Sequence, residues 1–129
     1  MAGGLARLKT RADFLRVAAS GRRAVRPGFI LQAAPQPGEE SGGGTMRVGF
    51  TASRKVGNAV VRNRAKRRLR ALAAEVLTRS GRPGMDYVII ARSMTGERPY
   101  AELAADLETA LRQVERSRRE ARRHRGEEE

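Results

Sequence analysis

The sequence contains no cysteine. That excludes a disulfide framework and any thiolate metal site, and it is compatible with a reducing compartment. Aromatic residues make up 4% of the chain, too few for stacking on aromatic platforms to be the main mode of any nucleic-acid binding. The one histidine, His124, stands in a highly charged C-terminal stretch, where a solvated side chain is expected rather than a general acid or base. Carboxylates are scattered: Asp13, the Glu39-Glu40 pair and Asp86 lie far apart, and most of the others follow Tyr100. No cluster among them suits a metal or an acid–base pair, so the chain is a poor candidate for cleaving phosphodiesters by itself. No run has the length and apolarity of a membrane span, and Met1 to Lys9 has no apolar core of signal-peptide length. The expected location is cytoplasmic, with no membrane attachment.

What is present is positive charge. Lysine and arginine number 27 against 14 acidic residues, a formal net charge of +13 and a pI near 11.6. A polyanion is the expected partner. With 129 residues and 40% hydrophobic content the chain fits one domain with a modest core. We expect a single RNA-binding domain over residues 1–114 and a charged tail without fixed structure over 115–129, where the apolar stripe stops.

The charge is concentrated between Ser53 and Ala74, with eight basic side chains and no acidic one. Within it Val61, Ala65, Leu69, Leu72 and Val76 recur at helical spacing, predicting a helix that buries one stripe. Asn58 is the expected N-cap, and Gly57 the residue that permits a tight strand-to-helix turn. Arg62, Lys66 and Arg70 flank the stripe; Arg64, Arg67 and Arg68 cover the outer face. Like charges three and four residues apart disfavour such a helix by roughly 0.2–0.5 kcal/mol per pair. A polyanion offsets that cost, with an affinity that falls as salt rises. An anionic membrane is the weaker rival, since membrane-surface helices set bulky residues opposite their basic face and this stripe is rich in Ala and Val.

Around this helix the pattern predicts a first helix over residues 11 to 20, opened by Thr10 and Asp13 as a near-capping box. A strand follows from Val25 to Ala34, with Phe29, Leu31 and Ala33 on one face and Ile30 and Gln32 on the other. A flexible loop from Gln36 to Gly44 is expected to join it as a hairpin to a second strand, Met46 to Ala52. Gly49 marks a bulge or a close backbone approach in that strand. Asp86 to Ala91 is apolar on both faces, as a central strand is, and is expected parallel to the strand before the basic helix. Pro99 opens a last helix whose stripe ends at Val114. The fold class is thus α/β, a small α+β sandwich with a mostly antiparallel sheet and three helices.

The run Arg47-Val-Gly-Phe-Thr-Ala-Ser-Arg-Lys-Val-Gly-Asn-Ala-Val-Val-Arg-Asn-Arg-Ala-Lys-Arg-Arg-Leu-Arg70 resembles the signature of the bacterial ribonuclease P protein component, and Leu8 to Phe14 matches its L-K-x-x-x-D-F pattern. The resemblance implies a non-catalytic subunit that helps an RNA catalyst, using magnesium held mainly by that RNA, to remove the 5′ leader of precursor tRNA. It implies that Arg54, Lys55, Arg62, Asn63, Arg64, Lys66, Arg67, Arg68 and Arg70 face the catalytic RNA, with Asn63 near a bound magnesium. It implies a leader cleft formed by Phe14, Ala18, Ile30, Gln32 and Lys55, in which Ala18 and Gln32 stand where relatives commonly carry aromatics. It also implies a left-handed βαβ crossover, against the general right-handed rule. Catalytic RNA and precursor tRNA are the expected partners, with no obligate protein partner. The alternatives are a ribosomal or RNA-chaperone type of RNA-binding protein and, from another class, a protein-only nuclease.

Overall fold

A computed structural model describes residues 5–20, 22–37 and 45–128. The acidic loop residues Glu39 and Glu40 lie outside them. Five strands, β1 (Leu5–Arg7), β2 (Arg23–Arg26), β3 (Phe29–Pro35), β4 (Met46–Thr51) and β5 (Met85–Ala91), alternate with helices α1 (Arg11–Ala19), α2 (Ala59–Ser80) and α3 (Tyr100–Glu128). They form one sheet of order β1-β4-β5-β3-β2.

The sheet is mixed rather than mostly antiparallel. β4 pairs in parallel with both β1 and β5, whereas β3 pairs antiparallel with β5 and β2. The expected parallel β4–α2–β5 unit is present, but the hairpin expected between β3 and β4 is not, because β5 lies between them. β5 takes the centre because it is buried at six of its seven positions, and only a strand paired on both sides hides that much apolar surface and satisfies its backbone. The stretch read as one strand from Val25 is two, folded at Pro27-Gly28. Proline has no N–H for a ladder, so the chain turns there.

Alternation along the strands separates two faces. On one, Phe29, Leu31, Val48, Tyr87 and Ile89 meet Leu69, Leu72 and Val76 of α2 and Leu103, Leu107 and Leu111 of α3. On the other, the shorter α1 covers a small cluster of Leu8, Val17, Ala34 and Val88, with Phe14 and Ile90 packed against it. Nine residues of helix cannot cover a five-stranded face, so part of it stays open beside α1.

α3 continues past Val114 to Glu128, beyond the end expected from its stripe. Residues after Val114 are mostly Arg, Glu and Ala, which favour helix without burial, and Arg119 pairs with Glu115 at 3.6 Å one turn away.

Candidate nucleic-acid interface

The basic helix is positioned by its own first turn. Ser53 accepts a hydrogen bond from the Lys55 backbone N–H at 3.3 Å and starts a single 3-10 turn, Arg54–Val56, closed by Gly57 at φ 154°. That φ is open to glycine at little cost. Asn58 then caps α2, its Oδ1 accepting from the Val61 N–H at 3.0 Å. No carboxylate occupies the first turn of α2, so its positive end and the side chains of Arg54 and Lys55 present one uncompensated field.

Several arginines away from the motif meet acids: Arg79 with Glu108 at 2.7 Å, Arg82 with Glu115 at 2.9 Å and Arg98 with Asp106 at 2.7 Å. Along the motif, none of Arg54, Lys55, Arg62, Arg64, Lys66, Arg67, Arg68 or Arg70 has an acidic partner among the described residues. Asn63, Arg64 and Arg67 are exposed on the outer face. Three motif arginines also hold the fold. Arg62 donates to the Gly57 carbonyl at 3.1 Å, and Arg68 donates to the Thr95 carbonyl at 2.6 Å. The Arg70 guanidinium stands 6.0 Å from the Phe50 ring centroid. Val61, expected in the buried stripe, is 39% exposed, and its side chain lies against Gly57 in the turn before α2 rather than in the core.

Of the residues expected in a leader cleft, Phe14, Ile30 and Gln32 come together on the face that α1 covers. Ile30 and Gln32 are half-buried on the α1 face of β3, opposite Ile90 and Val88 of β5. Phe14 is half-buried above β4: a Cβ on Gly49 would come within 2.4 Å of its ring. Gly49 is therefore the close approach that its mid-strand position predicted, and it seats the aromatic wall. Ala18 is exposed on α1, and Lys55 is exposed in the turn before α2. Sequence reading missed Thr51 and Ile90, which register with one another, and Val25, which registers with Ile30 and is 51% exposed. They extend the open face in one row with Ile30. The only signal for Val25 was the Pro-Gly turn that folds β2 back beside Ile30.

α1 is held to the sheet by charge. Asp86, with 0% exposure, accepts two bonds from Arg47, Nε to Oδ1 at 2.8 Å and Nη2 to Oδ2 at 2.6 Å. Arg16 of α1 also donates to Asp86 Oδ2 and to the Pro35 carbonyl at 2.9 Å. Asp13 completes the group, 3.3 Å from Arg16 and 3.6 Å from Arg47. Both carboxylates are thus engaged by arginine. No group of three His, Cys, Asp or Glu suited to a metal occurs among the described residues.

This group carries a pH dependence. The Thr10 hydroxyl bond, then Arg16 and Arg47, hold the Asp13 carboxyl below its ordinary value against the opposing effect of desolvation. Arg79 does the same to Glu108. A depressed folded-state pKa contributes stability that is complete above the unfolded value, about 4, and is lost as pH falls through the folded value. The thermal midpoint is expected to fall between about pH 5 and pH 2, and Asp13→Asn to make that decline shallower. Thermal unfolding at several pH values, with and without the substitution, measures it.

The family model described as Ribonuclease P matches residues 4–115. The Ribonuclease P protein component of Paramagnetospirillum magneticum is 55% identical over 114 residues, covering 88% of this chain and 86% of the relative. That of Ruegeria pomeroyi is 51% identical over 112 residues, covering 86% and 87%. Among solved structures, the RNase P protein from Staphylococcus aureus is 27% identical with a TM-score of 0.63, covering 84% of this chain and 87% of that one. The Thermotoga maritima RNase P protein shares the fold at 24% identity and a TM-score of 0.64, covering 81% and 94%. No helix among the described residues is long and apolar enough to cross a membrane. With the match spanning nearly all of the sheet and helices, the chain belongs to the ribonuclease P protein component family.

Proposed function

We propose that this chain is the protein subunit of a ribonuclease P holoenzyme, in which an RNA subunit is the catalyst and the protein assists removal of the 5′ leader from precursor tRNA. The observation that carries the reading is the segregation of charge. Arg16, Arg26, Arg47, Arg79, Arg82 and Arg98 are paired with acids, while all eight cations from Arg54 to Arg70 are left without one among the described residues. A fold that leaves eight like charges uncompensated bears a cost that an RNA backbone removes.

In this reading Arg54, Lys55, Arg62, Arg64, Lys66, Arg67, Arg68 and Arg70 neutralise phosphates of the catalytic RNA. Asn63, a neutral amide between two arginines, orients backbone or the hydration shell of a magnesium ion held by that RNA. The open face bounded by Phe14, Ala18, Ile30, Gln32 and Lys55, extended by Thr51, Ile90 and Val25, receives the single-stranded leader. Phe14 offers the one ring there, and Gln32 offers hydrogen bonds. Residues 1–114 are the RNA-binding unit, residues 115–129 supplement it with charge, and the complex works in the cytoplasm. The protein supplies position and charge rather than acid, base or metal ligands.

Cleavage of a precursor tRNA by a bacterial ribonuclease P RNA at low magnesium, with and without the chain, tests this reading. Strong stimulation that depends on the presence of a leader is expected. RNA binding without stimulation would return the ribosomal or RNA-chaperone reading, and cleavage by the chain alone would return the protein-only nuclease.

A further inference from the structure

On the sheet face opposite the leader cleft, a groove of about 230 Å³ opens between the edge strand β1 and α2. It is lined by Leu5, Ala6, Arg7, Val48, Phe50 and Arg70. Its chemistry differs from the rest of the basic surface. Phe50 is half-buried and packs with Leu5 against the α2 side of the core, and Arg70 lies within cation–π range of its ring. Arg7 and Arg70 are exposed at the rim, without an acidic partner among the described residues. The groove is smaller than the roughly 300–1,000 Å³ of sites for drug-sized ligands, which suits a flat group the size of one base. An apolar floor, an aromatic ring and flanking guanidinium groups together make the combination that holds an unstacked base beside its phosphate.

We infer that this groove receives one unpaired base of the RNA bound along α2. The inference rests on the RNA-binding reading above. It adds a second contact mode to that surface, because Arg70 belongs both to the phosphate-facing ladder and to the groove wall. Phosphate contacts to Arg64 and Arg67 then position the RNA, while the base in the groove sets its register. The leader cleft and the base groove occupy opposite faces of β4, with the turn Arg54–Gly57 between them.

The test compares binding of a bacterial ribonuclease P RNA to the full chain and to four variants. Phe50→Leu keeps an apolar side chain but removes the ring. Leu5→Trp adds bulk to the groove from a half-buried position on the edge strand. Phe50→Tyr restores a ring, and Arg64→Ala with Arg67→Ala reports on phosphate binding alone. Phe50→Leu and Leu5→Trp are each expected to weaken binding about five- to hundredfold. Their salt slope should be unchanged, since no charge is removed, and Phe50→Tyr should bind as the parent does. If Phe50→Leu fails to fold, Leu5→Trp decides the question. Affinities within twofold of the parent for Leu5→Trp and any folded Phe50→Leu, alongside a weakened arginine variant, would overturn the groove and leave the RNA-binding reading standing. No effect from the arginine variant either would overturn both.

Discussion

Replacing Arg64 and Arg67 with alanine is expected to weaken binding to the catalytic RNA about a hundredfold while leaving the chain as stable as before, or more so. Two charge-assisted contacts of about 1.5 kcal/mol each amount to that factor. Losing two phosphate contacts reduces the magnitude of the log–log salt slope by about 1.4–1.8. Stability moves the other way because neither side chain has a protein partner among the described residues. Each faces like charges one turn away: Arg64 stands three and four residues from Arg67 and Arg68, and Arg67 three from Arg70. Relieving those pairs contributes about 0.2–0.5 kcal/mol each. Titrations at several salt concentrations, paired with thermal unfolding, measure both quantities. Arg68 is a poorer choice for this experiment, since its bond to the Thr95 carbonyl mixes a folding role with any role in binding. Arg79→Ala, which removes a guanidinium already paired with Glu108, is the control and should leave RNA affinity unchanged. An unaltered slope in the double variant would remove Arg64 and Arg67 from the interface.

Asp86→Ala is expected to be the most destabilising single change of a charged residue, by about 3 kcal/mol, with a fall of about 10 °C in the thermal midpoint. The carboxylate has no solvent exposure and is the common acceptor for Arg47 of β4 and Arg16 of α1. Without it two guanidinium groups face each other with only Asp13 between them. The value sits at the low end of the range for broken buried pairs because Arg16 and Arg47 keep 32% and 29% side-chain exposure, so water takes up part of the lost interaction. α1 carries Phe14 and depends on this group for its seat. Leader-dependent stimulation should therefore decline before binding of the catalytic RNA does. Asp86→Asn, which keeps the shape and one acceptor, should cost less. A midpoint within about 2 °C of the parent for Asp86→Ala would show that packing of Val17 and Leu8 alone holds α1.

Much of α2 is legible in the order of its residues. A helix signals itself through neighbours three and four residues apart, and its cap through a residue at its start, so Asn58, the buried positions Ala65, Leu69, Leu72 and Val76, and the exposed Arg64 and Arg67 follow from local spacing. Arg68, expected on the same outer face, is instead half-buried by its bond to the Thr95 carbonyl. Thr10 and Asp13 announce α1 in the same way. The lack of cysteine, of clustered acids and of a well-placed histidine is equally a property of the chain as written. The motif from Arg47 to Arg70 also carries the family, and the family match over residues 4–115 shows it.

The strand order is a different kind of question. β3 and β4 are consecutive strands, and nothing within either says that β5, about forty residues further along, will come between them. That outcome depends on which arrangement buries the doubly apolar β5 on both sides and satisfies both its edges, a comparison over the whole chain. The same holds for the contacts that make sites. Phe14 over Gly49, Asp86 beneath Arg16 and Arg47, Val25 beside Ile30 and Arg70 above Phe50 join residues far apart in sequence, and no local period encodes them. Charge, chemistry and helical faces are set by the order of residues; which of those faces meet, and so where a cleft and a groove open, is decided when the sheet closes on its central strand.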